Sequence, residues 1–245
     1  MIIHSVAQGT QKWLDLRKGI PTCSRFDEIV TPAGELSKSA PKYMQHLLAE
    51  RILNRPIDGF KSQYMEHGND YEDRAIAAYE WERNCTTKRV GFVTSDDGRI
   101  GCSPDRFIED DDRGMVEAKA PTPAVHVGYL LAAAGASKEY KVQMQGELWM
   151  CEKVWNDVIS YCPGMPDAIF RVNRDETFIG KMSRAVREFS DLLESLAADF
   201  EKRGWIKPQS SEKSGQLDEG LDFLGVNDDD LARIMAAQEA RRNAV

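Results

Sequence analysis

No apolar run in this 245-residue chain approaches the ~18 residues that a membrane-spanning helix needs, so no membrane span is expected. The stretch "MIIHSVAQGTQKW" has neither a basic n-region nor a long apolar core, and no secretory signal is expected in it. The five cysteines (Cys23, Cys85, Cys102, Cys151 and Cys162) include no C-x-x-C pair, so neither a zinc nor an iron–sulfur site fits their spacing. Free thiols in a reducing cytoplasm are the expectation. Basic residues are also in deficit: 32 Lys and Arg against 40 Asp and Glu leave a net charge of −8. That balance leans away from a nucleic-acid partner, because phosphate binding needs clustered positive charge.

What is present has clear periodicity. Residues 41–55 and 68–84 carry apolar residues at helical spacing, and Pro41 suits a first helical turn. The period then falls to two. "KRVGFVTSDDGRIGCSPDRFI" reads as a strand, an Asp-Asp-Gly turn and a second strand, and "MVEAKA" is a further strand ended by Pro121. Helix returns over 139–153, two more strands follow in "VWNDVISYCPG" and "DAIFRVNRDE", and 181–204 is a long amphipathic helix with Gly204 at its C-cap. This order predicts an α/β (α+β) fold with a central mixed β-sheet flanked by helices. The expected division is a folded domain over 1–205, then a linker and C-terminal amphipathic helix over 206–245. In that tail the acids at 228–230 cap a stripe of Leu231, Ile234, Met235 and Gln238.

One hairpin concentrates the chemistry. In "SPDRFIEDDDRGMVEAKAP" the midpoint of 105 and 117 falls inside the acidic turn, so Asp105 should lie across the ladder from Glu117. Residues i and i+2 of a strand share a face, so Lys119 joins them. Two adjacent carboxylates repel, and a divalent cation would hold both ionised. Mg²⁺ takes few protein carboxylates, and a nearby lysine can act on a water or on charge developing at phosphorus. Taken alone, the pattern is more commonly a solvated ladder of charged residues. Glu72, four residues after Gly68 on the 68–84 helix, is a third candidate acid. Gln143 and Gln145 lie in an otherwise apolar helix, suited either to a water or phosphate contact or to a buried structural role. The "EDDDR" run lacks calcium-loop spacing and reads as a solvated turn.

In order, "WLDLRKGIPTCSRF", "HGNDYEDRA", "GCSPDRF", "VEAKAP" and "EYKVQMQGELWM" resemble the PD-(D/E)-x-K nuclease superfamily. More closely they resemble the bacteriophage lambda exonuclease (YqaJ-type viral recombinase) family, in register along residues 8–203. The resemblance implies a restriction-endonuclease-like core and a 5′→3′ exonuclease on double-stranded DNA. Such an enzyme releases mononucleotides from 5′-phosphorylated ends and leaves 3′ overhangs for phage-type recombination. It further implies Mg²⁺, with Mn²⁺ as a substitute, held by Asp105, Glu117 and the Ala118 carbonyl. Lys119 would handle the attacking water, with Glu72, Gln143 and Tyr140 beside it, while Arg17, Ser24 and Ser103 would hold the terminal 5′-phosphate. A homotrimeric ring around the duplex, a single-strand annealing protein as partner, and a cytoplasmic location in a bacterial host, phage or prophage encoded, are implied as well. Arg17, Lys18, Arg25, Lys38, Lys42 and Arg106 are the residues expected to make the ring's channel positive despite the net charge. The alternatives are an endonuclease or RecB-like nuclease of the same superfamily, and a non-catalytic DNA-end binding module.

Overall fold

The computed structural model describes residues 1–57, 63–132 and 140–207, with the side chains of 63–70 outside the description. The expected tail helix, nearly all of 206–245 and the surroundings of Gly68 therefore lie outside the described residues.

Five strands form a mixed sheet: β2 (Thr87–Arg89), β5 (Arg106–Ile108), β6 (Gly114–Lys119), β7 (Trp155–Ser160) and β8 (Ala168–Asn173), in the order β2-β5-β6-β7-β8. Only β6 and β7 run parallel; the other pairs are antiparallel. A parallel pair requires a crossover, and α4 (Pro123–Leu131) and α5 (Lys141–Met150) lie within it. The alternation expected in β6 is visible in its packing. Met115 packs against Met144 and Leu148 of α5, whereas Val116 packs against Ala75, Ile76 and Tyr79 of α3 (Gln63–Arg83). The sheet is thus covered by α5 on one face and α3 on the other.

The stretch expected to be one simple hairpin is divided between two sheets. Its tip is a hairpin, β3 (Phe92–Thr94) with β4 (Gly101–Cys102), joined to β1 (Ile2–His4) in a separate sheet of order β1-β3-β4. The flanking β2 and β5 pair with each other in the main sheet. The break falls beside Gly91, where a Cβ would stand 2.3 Å from the Val6 carbonyl oxygen and 2.4 Å from that of His4. Only glycine lets the N-terminal backbone lie this close.

The largest apolar cluster joins α2 (Ala40–Leu53) to α6 (Glu176–Lys202). Met182, Val186, Phe189, Leu193 and Ala197 of α6 are buried with Tyr43, Met44, Leu47 and Leu48 of α2, and the Tyr43 and Phe189 rings stack at 5.6 Å. Helix α6 begins five residues earlier than its apolar stripe indicates, because Asp175 caps it: the Asp175 side chain accepts from the Phe178 amide at 3.0 Å. Gly204 follows with φ of 74°, as a C-terminal cap requires. Among the described residues, no helix is long and apolar enough to cross a membrane.

Candidate active site

The ladder brings Asp105 and Glu117 together. Arg106 pairs with Val116 and Phe107 with Met115, so one step back sets Asp105 opposite Glu117. One Asp105 carboxylate oxygen accepts from the Ala118 amide at 2.8 Å. Two residues on, Lys119 Nζ donates to Glu117 Oε1 at 2.8 Å and lies 4.8 Å from the centre of the Tyr140 ring. Because β6 directs Met115, Glu117 and Lys119 toward α5, residues of that helix complete the cluster. Gln143 Nε2 donates to Glu117 Oε1 at 2.8 Å, and its Oε1 stands 3.4 Å from Lys119 Nζ.

The electrostatics reflect acids crowded out of water. Burial pushes the Asp105 carboxyl well above the usual carboxylate range, and the charges of Glu117 and Glu72 add to the effect. Burial opposes the charge on Lys119, but Glu117 and Asp105 outweigh it and hold the ammonium above its ordinary pKa. Glu117 is 4% exposed, and among the described residues its second oxygen, Oε2, has no hydrogen-bond partner. A buried carboxylate oxygen without a donor is costly unless something positive meets it.

The donor set fits a divalent cation. Among the described residues no three His, Cys, Asp or Glu groups form a ready-made metal cluster. Mg²⁺, however, needs only one or two carboxylates beside waters and substrate oxygens. Glu117 Oε2 and Asp105 meet that requirement.

Glu72 is held differently from the expectation of a third acid within one cluster. It reaches the site from the α3 side of the sheet, where Arg106 Nη1 donates to its Oε1 at 2.7 Å. Arg106 also donates to Asp73 at 2.9 Å and to the Asp105 carbonyl at 3.0 Å. It is 5% exposed. The placement of Arg106 on a DNA-facing surface is therefore corrected: its guanidinium is buried and committed to the acids of α3. Lys18 is half-buried, with its ammonium 2.6 Å from Asn54 Oδ1, and Arg25 pairs with Glu28 at 2.6 Å. Lys38 and Lys42 are exposed.

The three residues assigned to a terminal phosphate lie on adjoining segments. Helix α1 (Gln11–Arg17) is capped by Thr10 and ends at Arg17, whose guanidinium lies 4.3 Å from the centre of the Trp13 ring. Trp13 Nε1 donates to Ser103 Oγ at 2.9 Å. An isolated parallel bridge pairs Thr22 with Gly101, so Ser24 and Ser103 each lie two residues beyond the same junction. Ser24 Oγ is 3.4 Å from Thr22 Oγ1. Gly146 lets α5 approach the 3-10 helix Cys23–Glu28, since a Cβ there would stand 2.8 Å from the Phe26 ring.

Gln145 is a structural amide: it donates to the Asn173 carbonyl and accepts from the Asp175 amide, at 2.8 and 2.9 Å. Three acids of the 109–113 turn have contacts of their own, Asp110 with Thr86, Asp111 with Arg113 and Asp112 with Lys153. All five cysteines are free thiols, and Cys102 and Cys151 meet in the core with sulfurs 3.7 Å apart. Two neighbours of the site, Trp13 and Glu147, were not singled out from the sequence. Glu147 lies one helical turn beyond Gln143, and that i, i+4 spacing was the signal available for it.

No curated protein matches the chain. An alkaline exonuclease (LHK-Exo) from Laribacter hongkongensis shares its fold with a TM-score of 0.71 and 24% identity, over 80% of this chain and 98% of the other. The same values hold for LHK-Exo in complex with dAMP. A phage-related exonuclease from Haemophilus somnus 129PT aligns with a TM-score of 0.60 and 16% identity, over 74% and 96% of the two chains. The model of the YqaJ-like viral recombinase domain matches residues 12–154. That span runs from the Trp13 helix through Asp105, Glu117 and Lys119 to Glu147, and the chain belongs to the YqaJ-like viral recombinase family.

Proposed function

We propose that the protein is a metal-dependent 5′→3′ exonuclease on double-stranded DNA, which releases mononucleotides from 5′-phosphorylated ends and leaves 3′ overhangs for recombination. The observation that carries this reading is the buried, unpartnered Oε2 of Glu117, beside Asp105 and Lys119 on the central sheet of a YqaJ-family chain. The two exonuclease neighbours of like fold support nuclease chemistry, and the dAMP complex of one of them, a bound nucleoside monophosphate, supports the mononucleotide product.

Asp105, Glu117 and the Ala118 carbonyl would hold Mg²⁺ or, in its place, Mn²⁺. The bound ion supplies Lewis-acid stabilisation of the charge that develops on a phosphodiester. Lys119 is an ammonium with three donors. One is on Glu117 and one faces Gln143 Oε1, which leaves one for an attacking water or a phosphate oxygen. The Tyr140 face helps to hold that ammonium in place. Glu72, anchored by Arg106, adds negative charge near Asp105 and strengthens the demand for a cation. A guanidinium and two hydroxyls at Arg17, Ser24 and Ser103 suit a terminal phosphate dianion.

The test uses linear duplex with 5′-phosphate ends, linear duplex with 5′-hydroxyl ends, and closed circular DNA, each with Mg²⁺ and with EDTA. Mononucleotides released from the 5′ strand of the phosphorylated duplex, only with the ion, are the expected result. Cleavage of the closed circle would favour the endonuclease alternative, and release from the 3′ end would overturn the polarity. A homotrimeric ring would gather Lys38, Lys42 and their neighbours around the duplex, and a single-strand annealing protein in the bacterial cytoplasm would receive the overhang. Light scattering tests the ring: a stable monomer that still degrades long duplexes without dissociating refutes it.

A further inference from the structure

Buried beneath the proposed metal site is a carboxylate that the chemistry above does not use. Glu147 is 1% exposed. Its Oε1 accepts from Gln143 Nε2 at 2.8 Å, and its Oε2 lies 3.2 Å from Asn156 Nδ2. Gln143 and Glu147 are one turn apart on α5, on the helix face that covers Glu117.

A side-chain amide nitrogen has two hydrogens. Gln143 Nε2 places them on Glu117 Oε1 and Glu147 Oε1, both at 2.8 Å. While both carboxylates are ionised, rotating the amide by half a turn would set its oxygen against two acceptors, so only one orientation is open to it. That orientation directs Gln143 Oε1 toward Lys119 Nζ. It also occupies Glu117 Oε1 with two donors, Lys119 and Gln143, and leaves Oε2 as the oxygen without a partner. Were Glu147 absent, the Gln143 amide would have one anchor instead of two. The carboxylate of Glu117 would then lose its fixed bonding pattern.

We propose that Glu147 is a positioning residue: it locks the amide of Gln143 and, through it, fixes which oxygen of Glu117 is offered to the cation. This rests on the nuclease reading above. A merely structural role would show in stability and leave the Mn²⁺ affinity and kcat of the folded protein unchanged.

A double-variant cycle on the full chain tests it, with Mn²⁺ affinity from calorimetry and nucleotide release from 5′-phosphorylated duplex as the two readouts. Glu147→Leu is expected to weaken Mn²⁺ binding by about 10-fold and to lower kcat by about 10- to 100-fold, the scale on which groups that orient metal ligands act. KM for DNA ends should stay within about twofold, as for a loss not shared with ground-state binding. Glu147→Gln keeps an acceptor for Gln143, and Asn156 Oδ1, which has no partner among the described residues, can turn to accept from its amide; this variant should recover most of both losses. In a Gln143→Ala background, Glu147→Leu should change neither readout further. Additive losses in the double variant, or unaltered Mn²⁺ affinity and kcat in Glu147→Leu, overturn the proposal while leaving the nuclease reading intact. A wild-type protein that neither binds Mn²⁺ nor releases nucleotides overturns the nuclease reading, and this one with it. If Glu147→Leu does not fold, Glu147→Ser, too short to reach Gln143, takes its place in the same cycle.

Discussion

Asp105→Asn should make the cation-free protein more stable while removing its response to Mg²⁺. Among the described residues the Asp105 carboxylate accepts one hydrogen bond, from the Ala118 amide at 2.8 Å, and it survives the exchange because asparagine keeps a carbonyl oxygen there. What disappears is a half-buried charge next to Glu117 and Glu72, and the new amide hydrogens can face the neighbouring carboxylates. Relief of a poorly compensated buried charge is worth about 1–4 kcal/mol. For a chain of this length each kcal/mol raises Tm by roughly 3 °C. The folded state keeps the Asp105 proton to higher pH than the unfolded chain, whose carboxyl has the ordinary value of 3.8. Stability therefore falls as pH rises from that value through the folded pKa, and the penalty is complete above it. The variant should exceed the wild type most at alkaline pH, and the gap should close in acid below the unfolded value. With Mg²⁺ at about 100 times its Kd the wild type should gain about 2.7 kcal/mol, and the variant close to none. Thermal melts in EDTA and in Mg²⁺, at several pH values, measure both effects. A variant that melts below the wild type in EDTA at pH 8, or that keeps the full Mg²⁺ shift, refutes the reasoning.

Lys119→Ala should retain DNA and metal binding but lose turnover by ~10²-fold or more, measured as single-turnover release of nucleotides; near wild-type turnover would remove Lys119 from the reaction. Arg17→Ala should erase any preference for 5′-phosphate over 5′-hydroxyl ends and leave Mn²⁺ affinity unchanged, a comparison made on the two duplexes side by side. Arg106→Met should cost about 1–3 kcal/mol in a denaturant melt, below the full cost of breaking a buried pair because Asp73 is largely exposed. Because Arg106 is buried, the salt dependence of DNA binding should not change with it. Gly91→Ala should cost about 1–3 kcal/mol or more, since its new methyl would strike the backbone at His4 and Val6, which cannot rotate away; an unchanged Tm would show that β1 is free to shift.

Local periodicity was enough for the parts of the site that depend on neighbouring residues. The period-two pattern of "MVEAKA" places Glu117 and Lys119 on one face, and the symmetry about the acidic turn sets Asp105 opposite Glu117; the register agrees. The long stripe of α6 and the mixed sheet were legible for the same reason, because period and turn chemistry act over a few residues. Contacts made across the chain were not. Gln143 meets Glu117 only because the β6-to-β7 crossover lays α5 over that face of the sheet. Arg106 reads as a surface cation until α3 brings Glu72 and Asp73 against it. Trp13 reaches Ser103 across a separation of 90 residues, and the hairpin at 92–102 belongs to a different sheet from its flanks because β1 returns to cover Gly91. The sequence alone thus determined which charged residues share a strand face. Only the tertiary structure decided which partners those charges meet, and that choice leaves Glu117 Oε2 as the oxygen without a donor.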